Sequence, residues 1–313
     1  MKSEKNNLKG ILYVLIGMAI FTIQDASIKW IFNDTALYEL YFGRSIIAFV
    51  FLLIFMKYKK IKLNLKTHYP FLTTLRVLLF ILGFSFFYTS LIFMSLSMAY
   101  ALFFSSPFFI SIFSKIFLKE KIGIRRIGAI VVGFIGVYIV LNPDFNDFKI
   151  INLGPVACGF CYAGSMIIVK ITNEKDNVYT QLSHLYIGAI IVSLIFFVFI
   201  GDGRFDNSSN PSEQFILREW FSNPKSAWPV IFLMGCCGAI AFTLLFKAYN
   251  IGSPPTISLF EYSLIIYGSI AGYILFNEIP SRQTIFGSFV IISSGLYIFY
   301  REKIKNQEID LKY

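Results

Sequence analysis

Charged residues are scarce in this chain of 313 residues. Asp, Glu, Lys and Arg together make up 15% of it, whereas about 25% is usual in a globular domain. Apolar residues reach 56%, and the mean hydropathy is +0.67. So few charges cannot cover a soluble surface, and so many apolar residues exclude a disordered chain. The composition therefore predicts an all-α membrane protein that crosses the bilayer several times.

The motifs of common enzyme classes are also missing. The chain has no Gly-Lys dipeptide, which excludes a phosphate-binding P-loop, and no Gly-x-Ser-x-Gly nucleophile motif. Its two histidines, His68 and His184, are too far apart for a His-Glu-x-x-His metal site. We therefore expect no enzyme activity, no cofactor and no metal centre.

The few cysteines all lie inside apolar runs: Cys158, Cys161, Cys236 and Cys237. This placement predicts small buried side chains rather than a disulfide framework. Cys158 and Cys161 have the spacing of a metal or redox pair. Because no histidine or carboxylate lies near them in sequence, we do not predict a metal site there.

Long apolar segments, by contrast, are abundant. A helix that spans a bilayer needs about 20 predominantly apolar residues. The sequence offers ten such segments, at 9–29, 37–56, 69–93, 97–117, 124–141, 153–170, 179–200, 227–249, 255–276 and 283–300. The longest connection, 201–226, is polar, apart from an amphipathic stretch at 215–221 that fits a membrane surface.

The formal net charge of +10 could indicate a nucleic-acid partner, but the positions of the basic residues favour another interpretation. With the amino terminus placed in the cytoplasm, 18 of the 28 Lys and Arg residues fall in cytoplasmic segments and five in outer ones. Cytoplasmic loops of membrane proteins are enriched in these residues. We therefore predict a bacterial cytoplasmic (inner) membrane protein with both termini cytoplasmic and no nucleic-acid partner.

The two halves of the chain repeat one pattern. Its shared elements are a glutamate and two glycines: Glu120, Gly128 and Gly136 in the first half, and Glu278, Gly287 and Gly295 in the second. Because each half holds an odd number of segments, the second half is inserted upside down relative to the first. We predict a five-plus-five inverted repeat around a central cavity. Its parts are a first repeat at 8–142, a second at 152–301, an extracytoplasmic loop at 201–226 and a cytoplasmic tail at 302–313.

Charged side chains inside a membrane span are costly, so each one is a candidate for a binding site. Arg76 and Glu261 have opposite charges and a similar predicted depth. They could pair with each other, or they could flank a zwitterionic substrate. Asp25 lies beside Gln24 on the outer part of the first segment and is the third main candidate.

Other polar residues in the segments are weaker candidates. The secondary set is Gln24, Arg44, His184 and Lys247. For Lys247 the favoured interpretation is a side chain that reaches the membrane interface, and for His184 a simple hydrogen bond. Aromatic residues could line the same cavity, and the candidates are Tyr100, Tyr162 and Tyr262. Pro107 in the fourth segment and Pro254-Pro255 in the ninth predict kinks at equivalent places in the two halves.

The ten segments, the repeat, and the paired Glu120 and Glu278 resemble the drug/metabolite transporter superfamily, EamA type. Two motifs are similar to a bacterial branch that contains S-adenosylmethionine and riboflavin uptake proteins. They are Gln24-Asp25-Ala-Ser-Ile-Lys29-Trp30, and Phe260-Glu261-Tyr262-Ser263 with Tyr273-Ile-Leu-Phe-Asn-Glu278-Ile-Pro280. The resemblance covers nearly the whole chain. It implies a central cavity between the halves and alternating access.

These observations predict a secondary transporter of a small polar metabolite, zwitterionic or cationic, such as an amino-acid-like, carnitine-like or S-adenosylmethionine-like compound. Asp25 and Glu261 would attract positive groups, Arg76 would attract a carboxylate, and tyrosines would stack on the body of the substrate. Expected partners are the lipid bilayer and a coupling ion or counter-substrate, and the protein would be a monomer or homodimer. The alternatives are an integral-membrane enzyme or a non-transporting membrane sensor. The first would need clustered carboxylates or histidines near one interface, and the second a soluble signalling domain.

Overall fold

The computed structural model describes residues 2–119, 124–141, 149–207, 210–252, 257 and 260–310. These residues form helices, and no strand occurs among them. In chain order the helices are α1 (Lys2–Ile31), α2 (Leu37–Tyr58), α3 (Pro70–Ser90), α4 (Leu96–Phe103), α5 (Ser106–Phe117), α6 (Ile124–Leu141), α7 (Gly154–Thr172), α8 (Val178–Ile200), α9 (Pro211–Leu217), α10 (Ala227–Ile251), α11 (Ser263–Phe276) and α12 (Arg282–Asp310). A short 3-10 turn, Ile150–Leu153, leads into α7.

Long apolar helices fill most of the predicted segments. Within the described residues, seven helical stretches are long and apolar enough to cross a membrane: Lys9–Ile31, Leu37–Tyr58, Pro70–Ser90, Leu96–Phe117, Ile150–Thr172, Val178–Ile200 and Ala227–Ile251. Two shorter apolar helices are Ile127–Leu141 and Ser263–Phe276. The chain is therefore a multi-pass membrane protein. The helix α12 continues to Asp310, beyond the predicted boundary at 300, because its polar end is rich in helix-forming Glu, Lys and Gln.

The fourth predicted segment is broken into α4 and α5. Pro107 stands in the first turn of α5, where its missing N–H leaves no helix bond unmade. The break before it confirms the kink predicted from this proline. Pro254 and Pro255 lie outside the described residues, but Glu261 and Tyr262 form a turn directly before α11.

Helix contacts run between the two halves of the chain. The helix α1 packs along α10, and α3 packs along α7. Further pairs also join the halves, among them α2 with α8 and α6 with α12. Side chains on the facing sides of these pairs are therefore enclosed between the halves rather than exposed to lipid.

The long connection 201–226 packs onto the helix bundle. Phe215 on α9 is fully buried, with its ring 6.4 Å from that of Phe32. Arg218 donates hydrogen bonds to the carbonyls of Phe32 at 2.9 Å and Thr35 at 3.2 Å. The amphipathic stretch predicted at 215–221 thus begins with a phenylalanine that is buried in protein.

The helices α6 and α12 cross at two glycines. A methyl group on Gly287 would lie 2.8 Å from the carbonyl oxygen of Gly136, and one on Gly136 would lie 3.0 Å from that of Gly287. Such an approach of two backbones needs small residues on both helices. A methyl group on Gly128, by contrast, would meet nothing within 4 Å. Glu120, the repeat partner of Glu278, lies outside the described residues.

Replacing Gly287 with alanine should destabilise the α6–α12 pair by about 1–3 kcal/mol, because the new methyl group meets a backbone atom that cannot rotate away. Thermal unfolding in detergent measures the loss as a lower melting temperature. Gly128→Ala on the partner helix is the matched control and should be neutral or slightly stabilising. Equal losses in the two variants would show that the crossing is not set by this contact.

Candidate functional site

A tyrosine hydroxyl joins three polar side chains deep in the bundle. The Tyr88 hydroxyl on α3 accepts hydrogen bonds from Gln24 Nε2 and Arg44 Nη1, each 3.3 Å away. It donates to Asp25 Oδ1 at 3.3 Å, and Tyr100 on α4 donates to Asp25 Oδ2 at 2.9 Å. Arg44 is the most exposed of the five at 7%. We call this set the Tyr88 network, and it is assembled from α1, α2, α3 and α4.

The network holds one carboxylate and one guanidinium group around a shared hydroxyl. Asp25 and Arg44 both bond Tyr88, so their charges offset each other across it. The Arg44 guanidinium also lies 4.6 Å from the ring centroid of Tyr41, a cation–π distance. Burying either charge alone would cost several kcal/mol. Gln24 Oε1 has no hydrogen-bond partner among the described residues, which leaves one buried acceptor in the network.

Two small cavities border the Tyr88 network. The first, of about 20 Å³, is lined by Gln24, Tyr41 and Arg44 with apolar neighbours. The second, of about 30 Å³, is lined by Asp25 and Tyr100 among several phenylalanines. A water needs about 10–15 Å³ by this measure, so each cavity has room for only one or two waters. The protein is therefore closed around its polar groups in this conformation.

Glu261 forms a second polar cluster. Its Oε1 accepts hydrogen bonds from the hydroxyls of Tyr162 on α7 and Tyr249 on α10, both at 2.7 Å. Its Oε2 has no partner, and the residue is fully buried. The ion pairs found among the described residues do not include Glu261. The adjacent Tyr262 packs its ring 4.8 Å from that of Phe104, and its hydroxyl has no partner.

Arg76 is held apart from Glu261. Its Nη2 donates to the carbonyl of Gln181 on α8 at 2.8 Å, and its guanidinium lies 5.4 Å from the ring centroid of Phe246. Its Nε and Nη1 have no partner. Of the two arrangements that the sequence left open for Arg76 and Glu261, the ion pair is not formed.

Two secondary candidates are engaged elsewhere. His184 Nε2 lies 2.9 Å from the carbonyl oxygen of Leu65, in the connection between α2 and α3. The Lys247 ammonium lies 5.7 Å from the ring centroid of Tyr179. Neither side chain joins the Tyr88 network, whereas the other two secondary candidates, Gln24 and Arg44, do.

An ion pair near the Tyr88 network links three parts of the helix bundle. Lys29, one helical turn after Asp25 on α1, pairs with Glu278 and donates to the carbonyl of Met94 at 2.7 Å. The second carboxylate oxygen of Glu278 accepts the backbone N–H of Leu96 at 3.1 Å. We call this arrangement the Lys29–Glu278 latch. It ties the end of α1 to the start of α4 and to the connection between α11 and α12.

A carboxylate outside the spans fixes the connection between α2 and α3. Asp176 accepts hydrogen bonds from the hydroxyl of Thr67 and from the backbone N–H of His68. Burial alone would raise the pKa of Asp176, but these hydrogen bonds and the His68 ring together hold that pKa below its usual value. The carboxylate therefore stays ionised at neutral pH and keeps this connection attached.

Similarity to known proteins identifies the family of this membrane protein. The EamA-like transporter family matches residues 8–142 and 150–300. The chain belongs to the EamA-like transporter family. The resemblance predicted from the sequence motifs is therefore confirmed.

Relatives of this EamA-family chain match it nearly end to end. It is 28% identical to an S-adenosylmethionine uptake transporter of Rickettsia prowazekii (strain Madrid E), over 96% of this chain and 95% of the relative. It is 26% identical to a riboflavin transporter of Vibrio cholerae serotype O1, over 98% of each protein. A protein of known crystal structure, 13% identical, matches 93% of this chain and 96% of its own with a TM-score of 0.65, which indicates a shared fold.

Two tyrosines that hold the polar clusters of this EamA-family protein together were not predicted from the sequence. Tyr88 and Tyr249 stand in apolar helices, and the chain has 18 tyrosines in all. A weak signal was present for each, since Tyr88 is followed by Thr89 and Ser90, and Tyr249 by Asn250. Polar runs of this kind at the end of an apolar helix are candidates for contacts inside the bundle.

Tyr88→Phe should destabilise the protein by about 1–3 kcal/mol, because Arg44 and Gln24 lose a buried acceptor and Asp25 loses a donor. Thermal unfolding in detergent would show this as a lower melting temperature. The matched control is Tyr138→Phe on α6, where the side chain is 57% exposed, and it should have no effect. If the two variants have the same melting temperature, the Tyr88 hydroxyl does not hold the network together.

Proposed function

We propose that this EamA-family protein is a secondary transporter that carries a small zwitterionic or cationic metabolite across the bacterial cytoplasmic membrane. The observation that carries the proposal is the Tyr88 network. It holds an acid and a base, buried together beside aromatic-lined cavities, in a multi-pass protein of a transporter family. Charged groups at membrane depth are costly and are typical of substrate and ion pathways.

The chemistry of the network favours an S-adenosylmethionine-like substrate. The sulfonium and amino groups of such a compound would face Asp25, and its carboxylate would face Arg44. Its flat adenine ring would lie among the phenylalanines of the second cavity: Phe21, Phe84, Phe87 and Phe103. Riboflavin also has a flat ring but lacks a positive charge to answer Asp25. Amino-acid-like and carnitine-like zwitterions have the charges but not the ring.

Arg76 and Tyr162 extend the proposed site. Tyr162 lines the same cavity as Asp25, so its ring would contact the substrate directly. Arg76 keeps two N–H groups without partners and is the second candidate for a substrate carboxylate. The cavities must widen before a metabolite can enter, so binding is tied to a change in how the helices pack.

Alternating access between two inverted repeats is the proposed mechanism, with ten spans in two sets of five. Helix contacts support it. The proposed repeat makes α7 the counterpart of α1, and α10 the counterpart of α3. The contact between α1 and α10 is therefore equivalent to the contact between α7 and α3, and both contacts are present. The helices α2 and α8 are counterparts of each other, as are α6 and α12, and each of these two pairs is in contact. This is the pattern expected of a twofold relation between the halves.

Two lysines follow the same relation. Lys29 near the end of α1 donates to the carbonyl of Met94, which follows α3. Lys170 near the end of α7 donates at 2.9 Å to the carbonyl of Gly252, which follows α10. In an inverted repeat these lysines lie at opposite faces of the membrane. Each could therefore hold one face closed while the other opens.

The proposed orientation places both termini in the cytoplasm. It is supported by the excess of Lys and Arg in the segments that this orientation makes cytoplasmic, 18 against five. The Lys29–Glu278 latch then lies at the outer face, and the Asp176 contact lies at the cytoplasmic face. The Tyr88 network is reached from outside once the latch opens.

Counterflow of labelled S-adenosylmethionine into proteoliposomes tests the function. The wild type should exchange it, and Asp25→Asn should reduce exchange to background because the positive group loses its counter-charge. Tyr138→Phe should exchange like the wild type. Riboflavin and carnitine are run in parallel.

Other outcomes of the counterflow experiment would favour a different function or a different site. Binding without flux in the wild type would favour a sensor, and chemical conversion of the probe would favour a membrane enzyme. Wild-type flux in Asp25→Asn, with normal thermal stability, would remove Asp25 from the site.

The latch predicts a charge-swap rescue. Lys29→Glu and Glu278→Lys each place like charges together and should open the outer face, whereas the double variant restores the opposite pair. The reporter is Ser45→Cys, which lines the first cavity, in a background without the native free cysteines. A membrane-impermeant maleimide added outside should label it faster in each single variant and return to the slow rate in the double. Labelling that is the same in all variants would rule out a latch at this face.

A further inference from the structure

The two buried carboxylates have different surroundings. Asp25 shares the Tyr88 hydroxyl with Arg44, so a cation already balances it. Glu261 has two phenol hydroxyls at 2.7 Å and no ion-pair partner among the described residues. An ionised carboxylate in this position would be an unpaired charge in a low-dielectric interior, which is strongly unfavourable. None of the described residues supplies a positive partner for Glu261, so the carboxyl group needs another source of positive charge.

The space around Glu261 limits what that partner can be. The residue is fully buried and lines neither cavity of the Tyr88 network. Neither of these cavities therefore gives a metabolite room beside Glu261, and a metal cation would need more oxygen ligands than one carboxylate and two phenols provide. A proton needs no additional room.

The other titratable groups that the structure describes near Glu261 do not supply the charge. Tyr162, Tyr249 and Tyr262 are phenols, which are neutral at physiological pH. The helix α11 that follows Glu261 packs against α1 and α4, where Lys9 is exposed and the charged groups Asp25 and Lys29 bond elsewhere. Asp25 bonds Tyr100, and Lys29 is held by Glu278. On α7 and α10, which carry Tyr162 and Tyr249, Lys170 donates to the carbonyl of Gly252, and the Lys247 ammonium lies 5.7 Å from the ring centroid of Tyr179.

We propose that Glu261 is a proton-binding site that couples transport to the proton gradient, with Tyr162 as the link to the substrate cavity. The Tyr162 hydroxyl holds Glu261, while its ring lines the cavity that contains Asp25. A substrate that moves this ring weakens the hydrogen bond to Glu261 and so changes how firmly the carboxyl group holds its proton. By linkage, the proton on Glu261 changes the affinity for substrate by the same factor.

This inference rests on the proposed transport function, but the site can be tested without a substrate. Dicyclohexylcarbodiimide modifies carboxyl groups that are protonated in apolar surroundings, and mass spectrometry locates the product. In wild-type proteoliposomes at neutral pH, Glu261 should be modified and Asp25 should not. Above its midpoint, the modification should fall by about tenfold for each pH unit.

Two variants sharpen the labelling test. Glu261→Gln should lose the modification, whereas Glu39→Gln on α2 should retain it. Tyr249→Phe removes a hydrogen bond to the ionised carboxylate, so the midpoint of labelling should move to higher pH. A Glu261 that remains unmodified at every pH, or a midpoint that does not move in Tyr249→Phe, would overturn the proposal.

Coupling is tested with labelled S-adenosylmethionine as the probe. An imposed pH difference should drive its accumulation in the wild type, and the pH midpoint of counterflow should shift in Tyr249→Phe by as much as the labelling midpoint does. Wild-type flux that ignores pH would overturn the coupling. Normal pH-dependent labelling of Glu261, with no flux of S-adenosylmethionine or riboflavin, would instead reject the proposed transport function and leave the proton site in place.

Discussion

The cost of holding charge inside a membrane governs the construction of this protein. With so few charged side chains available, each buried one must be matched by a specific neighbour or it destabilises the fold. Asp25 and Arg44 are matched across Tyr88, and Lys29 is matched by Glu278. These contacts join helices that are distant in sequence. The same groups that make the fold costly therefore also hold it together.

Two of the charged contacts, those of Asp25 and Lys29, share the helix α1. Lys29 lies one helical turn from Asp25, so both project from one side of α1. A movement of α1 that separates Lys29 from Glu278 also moves Asp25 against Tyr88 and Tyr100. In the proposed mechanism, a substrate bound at Asp25 would conversely change the position of α1 at the latch. The shared helix is the physical basis on which the proposed mechanism connects substrate binding with opening of the latch.

Aromatic packing and close helix contact explain why that cavity is small in this conformation. Phenylalanine rings fill the space beside Asp25, and α6 and α12 touch through Gly136 and Gly287. Rings can change rotamer without breaking hydrogen bonds, so an aromatic wall can yield to a flat ligand at modest cost. The backbone contact at the glycines is less adaptable, because backbone atoms cannot rotate away as a side chain can.

The amino-acid sequence by itself determined the multi-pass helical architecture, the family and most of the charged residues that converge in the site. Hydropathy and motif spacing are local properties, and they are sufficient for these conclusions. Only the tertiary structure decided which charges meet. It separated Arg76 from Glu261, placed Arg44 with Asp25, and revealed Tyr88 as their common partner. Sequence pattern and spacing place a residue on a helix and at a depth in the membrane. Which helix faces meet depends instead on packing between segments that are far apart in the chain.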